Sequence, residues 1–207
     1  MKVYIIDYGM GNLMSVKRAF EECGTDEVYI CDEPKELVNA EFIVLPGVGS
    51  FYEGMNNLNI KGWTKVIIEI AKQGKIPILG ICLGMQLLAS KGYEEKEIDG
   101  LGLIDGEVKK FIIKDENERI PHMGWNEIYK VNDNSLLSGI DDGADFYFVH
   151  SYYFDCKQKG NVIATTPYCG EFTSIIAKDN VYGVQFHPEK SQISGFKVIK
   201  NFLTMNN

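Results

Sequence analysis

The sequence predicts an α/β fold, in which a central, mostly parallel β-sheet is flanked by helices and carries a smaller antiparallel extension. Two observations support this prediction. In residues 1–90, apolar runs of strand length alternate with segments whose apolar residues recur at helical spacing, and such alternation is typical of right-handed βαβ crossovers. In residues 103–177, short apolar runs alternate with turns, which is typical of antiparallel strands.

Four apolar runs in residues 1–90 have the length of buried strands: Val3–Ile6, Val28–Cys31, Phe42–Leu45 and Ile76–Ile81. Helical spacing, a glycine after a last turn and a proline in a first turn predict the helices between them. These helices are Leu13–Cys23, a segment that begins at Glu33–Pro34, and Trp63–Gln73. Because sites on parallel sheets lie beyond the carboxyl ends of the strands, we expect a site near Asp7, residues 46–50 and Cys82.

Five runs in the later part of the chain are predicted as mostly antiparallel strands: Val108–Ile113, Trp125–Val131, Asp145–Asp155, Val162–Thr166 and Phe172–Ala177. A last helix is predicted over Phe196–Leu203, where apolar residues recur at helical spacing. The segment Pro121–Asn126 has turn character and contains Met123 and Trp125. Exposed side chains of these types suit a partner surface, whereas packing in the core is their commoner role.

Composition and charge exclude several classes of protein. The 207-residue chain has a net charge of −8 and no basic stripe, which argues against a nucleic-acid or membrane surface. Its early charges argue against a signal peptide, and no apolar run could span a bilayer. Five cysteines without regular spacing indicate neither a disulfide framework nor a zinc site. We therefore expect one domain, or one domain with an insertion, that is cytoplasmic and has reduced thiols. We expect neither a metal nor a cofactor.

The pattern Gly80-Ile81-Cys82-Leu83-Gly84 lies between a predicted strand and a helical run. It is the thiol version of the nucleophile elbow, a tight turn that holds its central residue in a strained conformation and lifts it clear of the sheet. The helix N-terminus that follows favours the thiolate form of Cys82. Cys82 is therefore the candidate nucleophile, and the alternative is an inert buried cysteine.

A glycine-rich loop, residues 46–50, follows the third predicted strand. Backbone N–H groups in such a loop can turn toward an anion or a developing oxyanion. Because the next strand carries the elbow, we interpret the loop as part of an oxyanion hole rather than as a plain connection.

His187 and Glu189 form the second candidate pair. Pro188 biases His187 toward an extended conformation, and residues two apart in an extended chain share a face. Glu189 would then hold one imidazole nitrogen while the other faces the nucleophile, as in a catalytic triad. Together with Cys82 and the loop, this pair predicts an acyl-transfer site. His150, in an aromatic-rich strand, is expected to be structural.

Six segments carry a resemblance to a known family: Asp7–Val16, Pro46–Phe51, Gly80–Gln86, Pro121–Asn126, Tyr147–Tyr152 and Gln185–Ser191. They span the whole chain and resemble the class I, triad-type glutamine amidotransferases. The elbow and the His-Pro-Glu motif occur across that class. The Asn12, Pro46–Gly49 and His122–Asn126 segments are similar to those of the glutaminase subunits of imidazole glycerol phosphate synthase. The resemblance implies a flavodoxin-like fold over residues 1–207.

The resemblance also implies roles for individual residues. Cys82, His187 and Glu189 would hydrolyse L-glutamine to glutamate and ammonia. Oxyanion or substrate contacts are implied for a second set of residues: Gly47, Val48, Gly49, Leu83, Gln86, His150, Ser151 and Tyr152. The Pro46–Gly49 strand would have to reorient to complete the oxyanion hole.

Ammonia would pass, without meeting solvent, into a (β/α)8-barrel cyclase subunit that makes imidazole glycerol phosphate and AICAR in histidine biosynthesis. Contacts with this partner are implied for a third set of residues: Asn12, Met123, Trp125, Tyr147 and Lys190. The resemblance further implies that the glutaminase is nearly silent without the liganded partner.

Three alternatives stay open at this point. Glutaminase subunits of surface-polysaccharide sugar amidotransferases have nearly the same motifs, and the acceptor chemistry lies in the other chain. A binding or regulatory protein could keep the fold without turnover, although Cys82, His187 and Glu189 argue against this. A stand-alone cysteine peptidase or γ-glutamyl hydrolase would hydrolyse its substrate without any partner.

Overall fold

The structure, a computed structural model, describes residues 1–205. These residues form thirteen β-strands: β1 Lys2–Ile6, β2 Glu27–Cys31, β3 Phe42–Gly47, β4 Ile78–Cys82, β5 Lys91–Gly92, β6 Ile98–Asp99, β7 Gly106–Lys110, β8 His122–Lys130, β9 Ala144–His150, β10 Tyr152–Cys156, β11 Val162–Thr166, β12 Phe172–Lys178 and β13 Val181–Val184. The same residues form five α-helices: α1 Leu13–Glu22, α2 Phe51–Ile60, α3 Trp63–Gln73, α4 Leu83–Leu87 and α5 Gln192–Phe202. Short 3₁₀-helices cover Pro34–Asn39, Ser135–Leu137, Lys159–Asn161 and Pro188–Lys190.

Strands β2, β1, β3, β4 and β13 are neighbours in that order, and all four pairings between them are parallel. Beyond β13 the sheet continues with β12, β10 and β7 in that order, and each of these strands is antiparallel to the strand before it. Strand β11 pairs with β12 and with β8, and β8 pairs with β9, again antiparallel. The predicted fold class, a parallel sheet with an antiparallel extension, is therefore confirmed.

Helices cover both faces of the parallel sheet, so the chain has two hydrophobic layers. Ile5 of β1 packs in one layer with Phe20 of α1 and Phe202 of α5. The next residue of the strand, Ile6, packs in the other layer with Trp63 of α3. Burial on both faces explains why these strands read as continuous apolar runs rather than as alternating patterns.

Several predicted elements differ from the structure. The predicted strand Asp145–Asp155 is two strands, because β9 pairs with β8 whereas β10 pairs with β7 and β12. Pro121–Asn126 is not a turn, since His122 begins strand β8. The helix predicted from Glu33–Pro34 is a 3₁₀-helix. The last helix begins at Gln192 rather than Phe196.

Helix α2 has no counterpart among the predicted elements. Ser50 caps its first turn by accepting a hydrogen bond from the N–H of Glu53. Its buried face, which includes Phe51, Met55 and Leu58, is interrupted by Gly54 and by polar residues, so its apolar periodicity is weak in the sequence. Within residues 1–205, no helix has the length and apolar character that crossing a membrane requires.

The elbow between β4 and α4 depends on two close backbone approaches. A Cβ atom on Gly84 would overlap the carbonyl oxygen of Leu45 in β3. A Cβ atom on Gly80 would lie 2.7 Å from backbone atoms of Gly84 and Met85. Glycine at these positions therefore lets the first turn of α4 sit directly against two strands of the sheet.

We expect Gly80→Ala to lower the free energy of unfolding by about 1–3 kcal/mol, because the new methyl group would overpack the elbow. Gly160→Ala is the matched control, since no atom lies within 4 Å of its Cβ position. Chemical denaturation of the two variants and the unchanged chain measures the difference. Equal stability of both variants would contradict the close packing of the elbow.

Candidate active site

Cys82 ends β4 and precedes α4 with a backbone φ of 54°. This positive φ is strained for a residue with a side chain, and it confirms the predicted elbow geometry. Cys82 is 6% exposed. In the parallel register of β3 and β4 it is paired with Gly47, so the glycine-rich segment that follows β3 begins level with the sulfur-bearing residue.

His187 and Glu189 form a buried pair, with His187 Nδ1 2.8 Å from Glu189 Oε1. The predicted contact is present, but the predicted reason for it is wrong. His187 itself is extended, whereas Pro188–Lys190 forms a 3₁₀ turn that brings the carboxylate back toward the ring. The N–H of His187 donates to the carbonyl of Tyr147, which ties this segment to β9.

The surroundings of His187 favour its protonated form. Burial alone would lower the pKa of the ring, but the interactions with Cys82 and Glu189 outweigh burial and raise it above its ordinary value. The other ring nitrogen, Nε2, is buried and forms no hydrogen bond with any group in residues 1–205. Its partner in a reaction would therefore be Cys82 or a group bound beside it.

A cleft of about 550 Å³ opens at the elbow. Its lining includes most of the residues predicted to contact substrate or oxyanion: Val48, Gly49, Leu83, Gln86, His150, Ser151 and Tyr152. Cys82 also lines it. Gly47 is not among the lining residues, and a Cβ atom at its position would overlap the hydroxyl of Tyr8. The size of the cleft suits a small-molecule ligand.

Four further residues, to which the sequence analysis gave no individual role, also line the cleft: Ser50, Glu94, Pro121 and Val149. Glu94 is the charged member of this set. Its Oε2 accepts a 2.7 Å hydrogen bond from the N–H of Phe51, and burial raises the pKa of its carboxyl group. Glu94 lies in a run of charged residues, which in sequence looks like an ordinary solvated turn, so no local signal identifies it.

Gln86 is held on the floor of the cleft. Its Nε2 donates to the carbonyl oxygen of Tyr152 at 2.8 Å and to Oε1 of Gln185 at 3.0 Å. Both protons of the amide are thus engaged within the protein, and its own Oε1 remains as the acceptor for a ligand.

His150 lines the cleft and also belongs to a buried hydrogen-bonded chain. Its Nδ1 bonds to the carbonyl of Tyr152, and its Nε2 bonds to Nδ1 of His122. Burial lowers the pKa of His122 to about 4 and that of His150 to about 3. Both rings are therefore neutral near pH 7.

Four of the five residues predicted to contact a partner are on or beside the β8–β9 pair. Met123 and Trp125 are 63% and 48% exposed. Trp125 is paired with Tyr147 across the strands and contacts its ring edge-on. The ammonium of Lys190 lies 5.7 Å from the centre of the same tyrosine ring. The fifth residue, Asn12, is the exposed N-cap of α1.

No group of three or more His, Cys, Asp or Glu side chains in residues 1–205 is arranged to hold a metal ion. The lining residues of the cleft that carry polar side chains are Ser50, Cys82, Gln86, Glu94, His150, Ser151 and Tyr152. This arrangement can bind a small polar molecule and attack a carbonyl carbon with a thiolate.

Comparison with known proteins identifies the class to which this fold and site belong. The sequence model of the family "Glutamine amidotransferase class-I" matches residues 4–205. Solved structures of similar fold include PurLQS from Thermotoga maritima, with a TM-score of 0.74 and 20% identity over 100% of this chain and 99% of that one. The glutaminase domain of Trypanosoma brucei CTPS, with bound acivicin, has a TM-score of 0.70 and 17% identity over 99% and 92%. The chain belongs to the class-I glutamine amidotransferase family.

Within that family the chain is similar to a particular subunit. It is 47% identical to "Imidazole glycerol phosphate synthase subunit HisH 1" of Campylobacter jejuni strain RM1221, over 98% of this chain and 100% of that protein. It is 46% identical to "Imidazole glycerol phosphate synthase subunit HisH" of Moorella thermoacetica, over 97% and 93%. The resemblance stated from the sequence motifs is thereby confirmed.

The low pKa values of His122 and His150 predict a loss of stability in mild acid. The unfolded chain, with histidine pKa values near 6.5, binds more protons than the folded chain below that pH. The free energy of unfolding should therefore fall as the pH is lowered from about 6.5 to about 4. The raised pKa of His187 has its effect only above about pH 6.5, where it makes stability fall as the pH rises.

We expect His122→Phe to reduce the slope of stability against pH in this window, because one fewer proton is taken up on unfolding. Urea unfolding at several pH values between 4 and 7 measures the slope. Tyr168→Phe is the control, since it changes a ring that packs on that of His122 and leaves the histidine in place. An unchanged slope in His122→Phe would show that this ring is not held neutral by the fold.

Proposed function

We propose that this chain is the glutaminase subunit of imidazole glycerol phosphate synthase, and that it hydrolyses L-glutamine to glutamate and ammonia. The observation that carries the proposal is the buried His187–Glu189 pair next to an elbow cysteine that opens into a small polar cleft. Residues 1–207 would act as one glutamine amidotransferase domain. Kinship with the HisH subunits at 44–48% identity supports the same assignment.

In the reaction, Cys82 is the nucleophile. Its thiolate attacks the side-chain amide carbon of glutamine, and the amide oxygen becomes an oxyanion. His187 carries the proton that the leaving amine takes up, so ammonia departs and a thioester to Cys82 remains. His187 then accepts a proton from water, the hydroxide attacks the thioester, and glutamate and the thiolate are released. Glu189 holds the imidazole in the orientation that both proton transfers require.

The oxyanion is held by backbone N–H groups of Leu83 and of the Gly47–Gly49 segment, which reorients to present them. Gln86 accepts from the substrate through its Oε1, and the backbone of residues 150–152 forms one wall of the cleft. We add Glu94 to this set, because its carboxylate lines the cleft and has the charge that the α-ammonium group of glutamine requires.

The partner in this proposal is the cyclase subunit, a (β/α)8-barrel that receives the ammonia. The relatives are named as subunits of a synthase, so a heteromeric complex, a heterodimer in the simplest case, is expected. Met123, Trp125, Tyr147 and Lys190 would form the central contact, together with Asn12 on α1. Exposed aromatic and methionine side chains suit such a surface. A cytoplasmic location and the absence of a cofactor follow from the same assignment.

The first test is glutamate release from glutamine by the purified chain, alone and with an imidazole-glycerol-phosphate cyclase subunit and its nucleotide substrate. Near-silence of the isolated chain and strong stimulation by the liganded partner are the expected results. No stimulation, with Cys82 still labelled by a thiol-directed glutamine analogue, would favour a sugar-amidating partner instead. High turnover of peptides or γ-glutamyl chains without a partner would contradict the amidotransferase assignment.

The triad assignment predicts graded losses in the activated complex. Cys82→Ala should reduce kcat by at least about 10⁴-fold, because no nucleophile remains, whereas Glu189→Gln should retain about 10- to 100-fold more activity, because Glu189 orients but does not react. Steady-state glutamate release measures both. Equal thermal unfolding midpoints would show that the variants are folded. An active Cys82→Ala variant would refute the mechanism.

The partner surface predicts that Trp125→Ala weakens binding of the cyclase subunit about tenfold or more, since a central aromatic side chain often dominates an interface. Isothermal titration measures the dissociation constant. Val38→Ala is the control, because Val38 is 83% exposed on the Pro34–Asn39 helix, away from the β8–β9 pair. Equal affinities of the two variants would place the interface elsewhere.

A further inference from the structure

A single backbone carbonyl fixes the direction of every hydrogen bond in a buried chain that ends at Cys82. The carbonyl oxygen of Tyr152 can only accept, so Gln86 Nε2 must be the donor to it. The same amide nitrogen lies 3.0 Å from one side-chain atom of Gln185, which must therefore be the acceptor oxygen Oε1. The remaining amide nitrogen of Gln185, Nε2, is then directed at Cys82 Sγ, 3.8 Å away.

The hydrogen bonds that run from Tyr152 O in the other direction, through His150 and His122, are fixed in the same way. Tyr152 O also accepts from His150 Nδ1, so His150 Nε2 is an acceptor and His122 Nδ1 is the donor to it. His122 Nε2 then accepts from the side-chain amide of Asn126, which also donates to the carbonyl of Pro167. No member can reverse its direction without leaving two donors or two acceptors facing each other in a buried site.

Gln185 has no access to solvent. It follows β13 directly, its side chain is 0% exposed, and its N–H donates to the carbonyl of Ser174 in β12. The sulfur of Cys82 has a second polar neighbour, the carbonyl oxygen of Val149, also at 3.8 Å. That carbonyl favours the thiol, which can donate to it, whereas the amide of Gln185 favours the thiolate, which can only accept.

We propose that Gln185 is a positioning residue for the nucleophile. Its side-chain amide, whose orientation is fixed by the hydrogen bond from Gln86, donates to Cys82 Sγ and stabilises the thiolate, whereas the carbonyl of Val149 favours the thiol. The consequence for catalysis rests on the proposed function, whereas the contact with the sulfur does not. Hydrogen bonds to charged groups are stronger than neutral ones, so the loss of this donor lowers the fraction of thiolate at a given pH.

The charged and titratable groups that face Cys82 come from the two segments that follow β13 and β1. His187 follows β13 and carries Glu189 behind it, and its protonated ring favours the thiolate. The hydroxyl of Tyr8, buried after β1, has a pKa raised first by burial and then by the charge of Cys82. Gln185 is the neutral donor among them, and its effect adds to that of His187 rather than replacing it.

The test is the rate of alkylation of Cys82 by iodoacetamide as a function of pH, followed on the Cys82 peptide by mass spectrometry because four other cysteines are free. In Gln185→Leu we expect the midpoint of the rise in rate to move up by about one pH unit. In Gln185→Glu, which keeps the acceptor for Gln86 but places an oxygen beside the sulfur, the midpoint should move further. Ser174→Ala is the control for packing at the same place and should leave the midpoint unchanged.

The outcomes separate this proposal from the proposed function. An unchanged midpoint in both folded Gln185 variants, judged by thermal unfolding, overturns the positioning role even if the native complex hydrolyses glutamine. A shifted midpoint in a chain that releases no glutamate with any partner supports the contact and refutes the function. A shift in Ser174→Ala as large as that in Gln185→Leu would assign the effect to packing and overturn the proposal.

Discussion

The close packing of the elbow against the sheet is the constraint on which the site depends. Cys82 has a positive φ, a conformation that costs on the order of 1–3 kcal/mol and persists only where its surroundings enforce it. They do so here because Gly80 and Gly84 let α4 approach β3 and β4 without side chains between them. The hydrophobic layers on both faces of the sheet hold these strands in place, and they thereby hold the sulfur at the mouth of the cleft.

The polar groups under the cleft form one hydrogen-bonded network, in which the donor and the acceptor of every bond are fixed. Tyr152 O accepts from both His150 and Gln86, and the polarity of every further bond follows. A buried network of this kind is stabilising only when each member is satisfied. The neutral state of His122 and His150 is part of that requirement, since a second proton on either ring would place two donors face to face.

The strand pair β8–β9 links the exposed aromatic surface to the nucleophile. Met123 is paired with Val149, and the carbonyl of Val149 contacts Cys82 Sγ. Trp125 is paired with Tyr147, and the carbonyl of Tyr147 accepts the N–H of His187. A partner that shifts β8 would therefore act on both the nucleophile and the base through β9. These contacts connect the exposed surface of β8 with the residues of the elbow and of the His187 segment.

The sequence by itself determined the parallel sheet, the elbow at Cys82 and the selection of His187 and Glu189 as a candidate pair, because buried strands, a strained turn and a His-Pro-Glu motif are local patterns. It did not determine helix α2, the division of Asp145–Asp155 into two strands, or the 3₁₀ turn that brings Glu189 to His187. The positions of Glu94 in the cleft and of Gln185 beside Cys82 were also decided only by the tertiary structure. Each of these features depends on which distant segment lies opposite: Gln185 faces Cys82 because β13 pairs with β4, and no pattern within a single segment records that pairing.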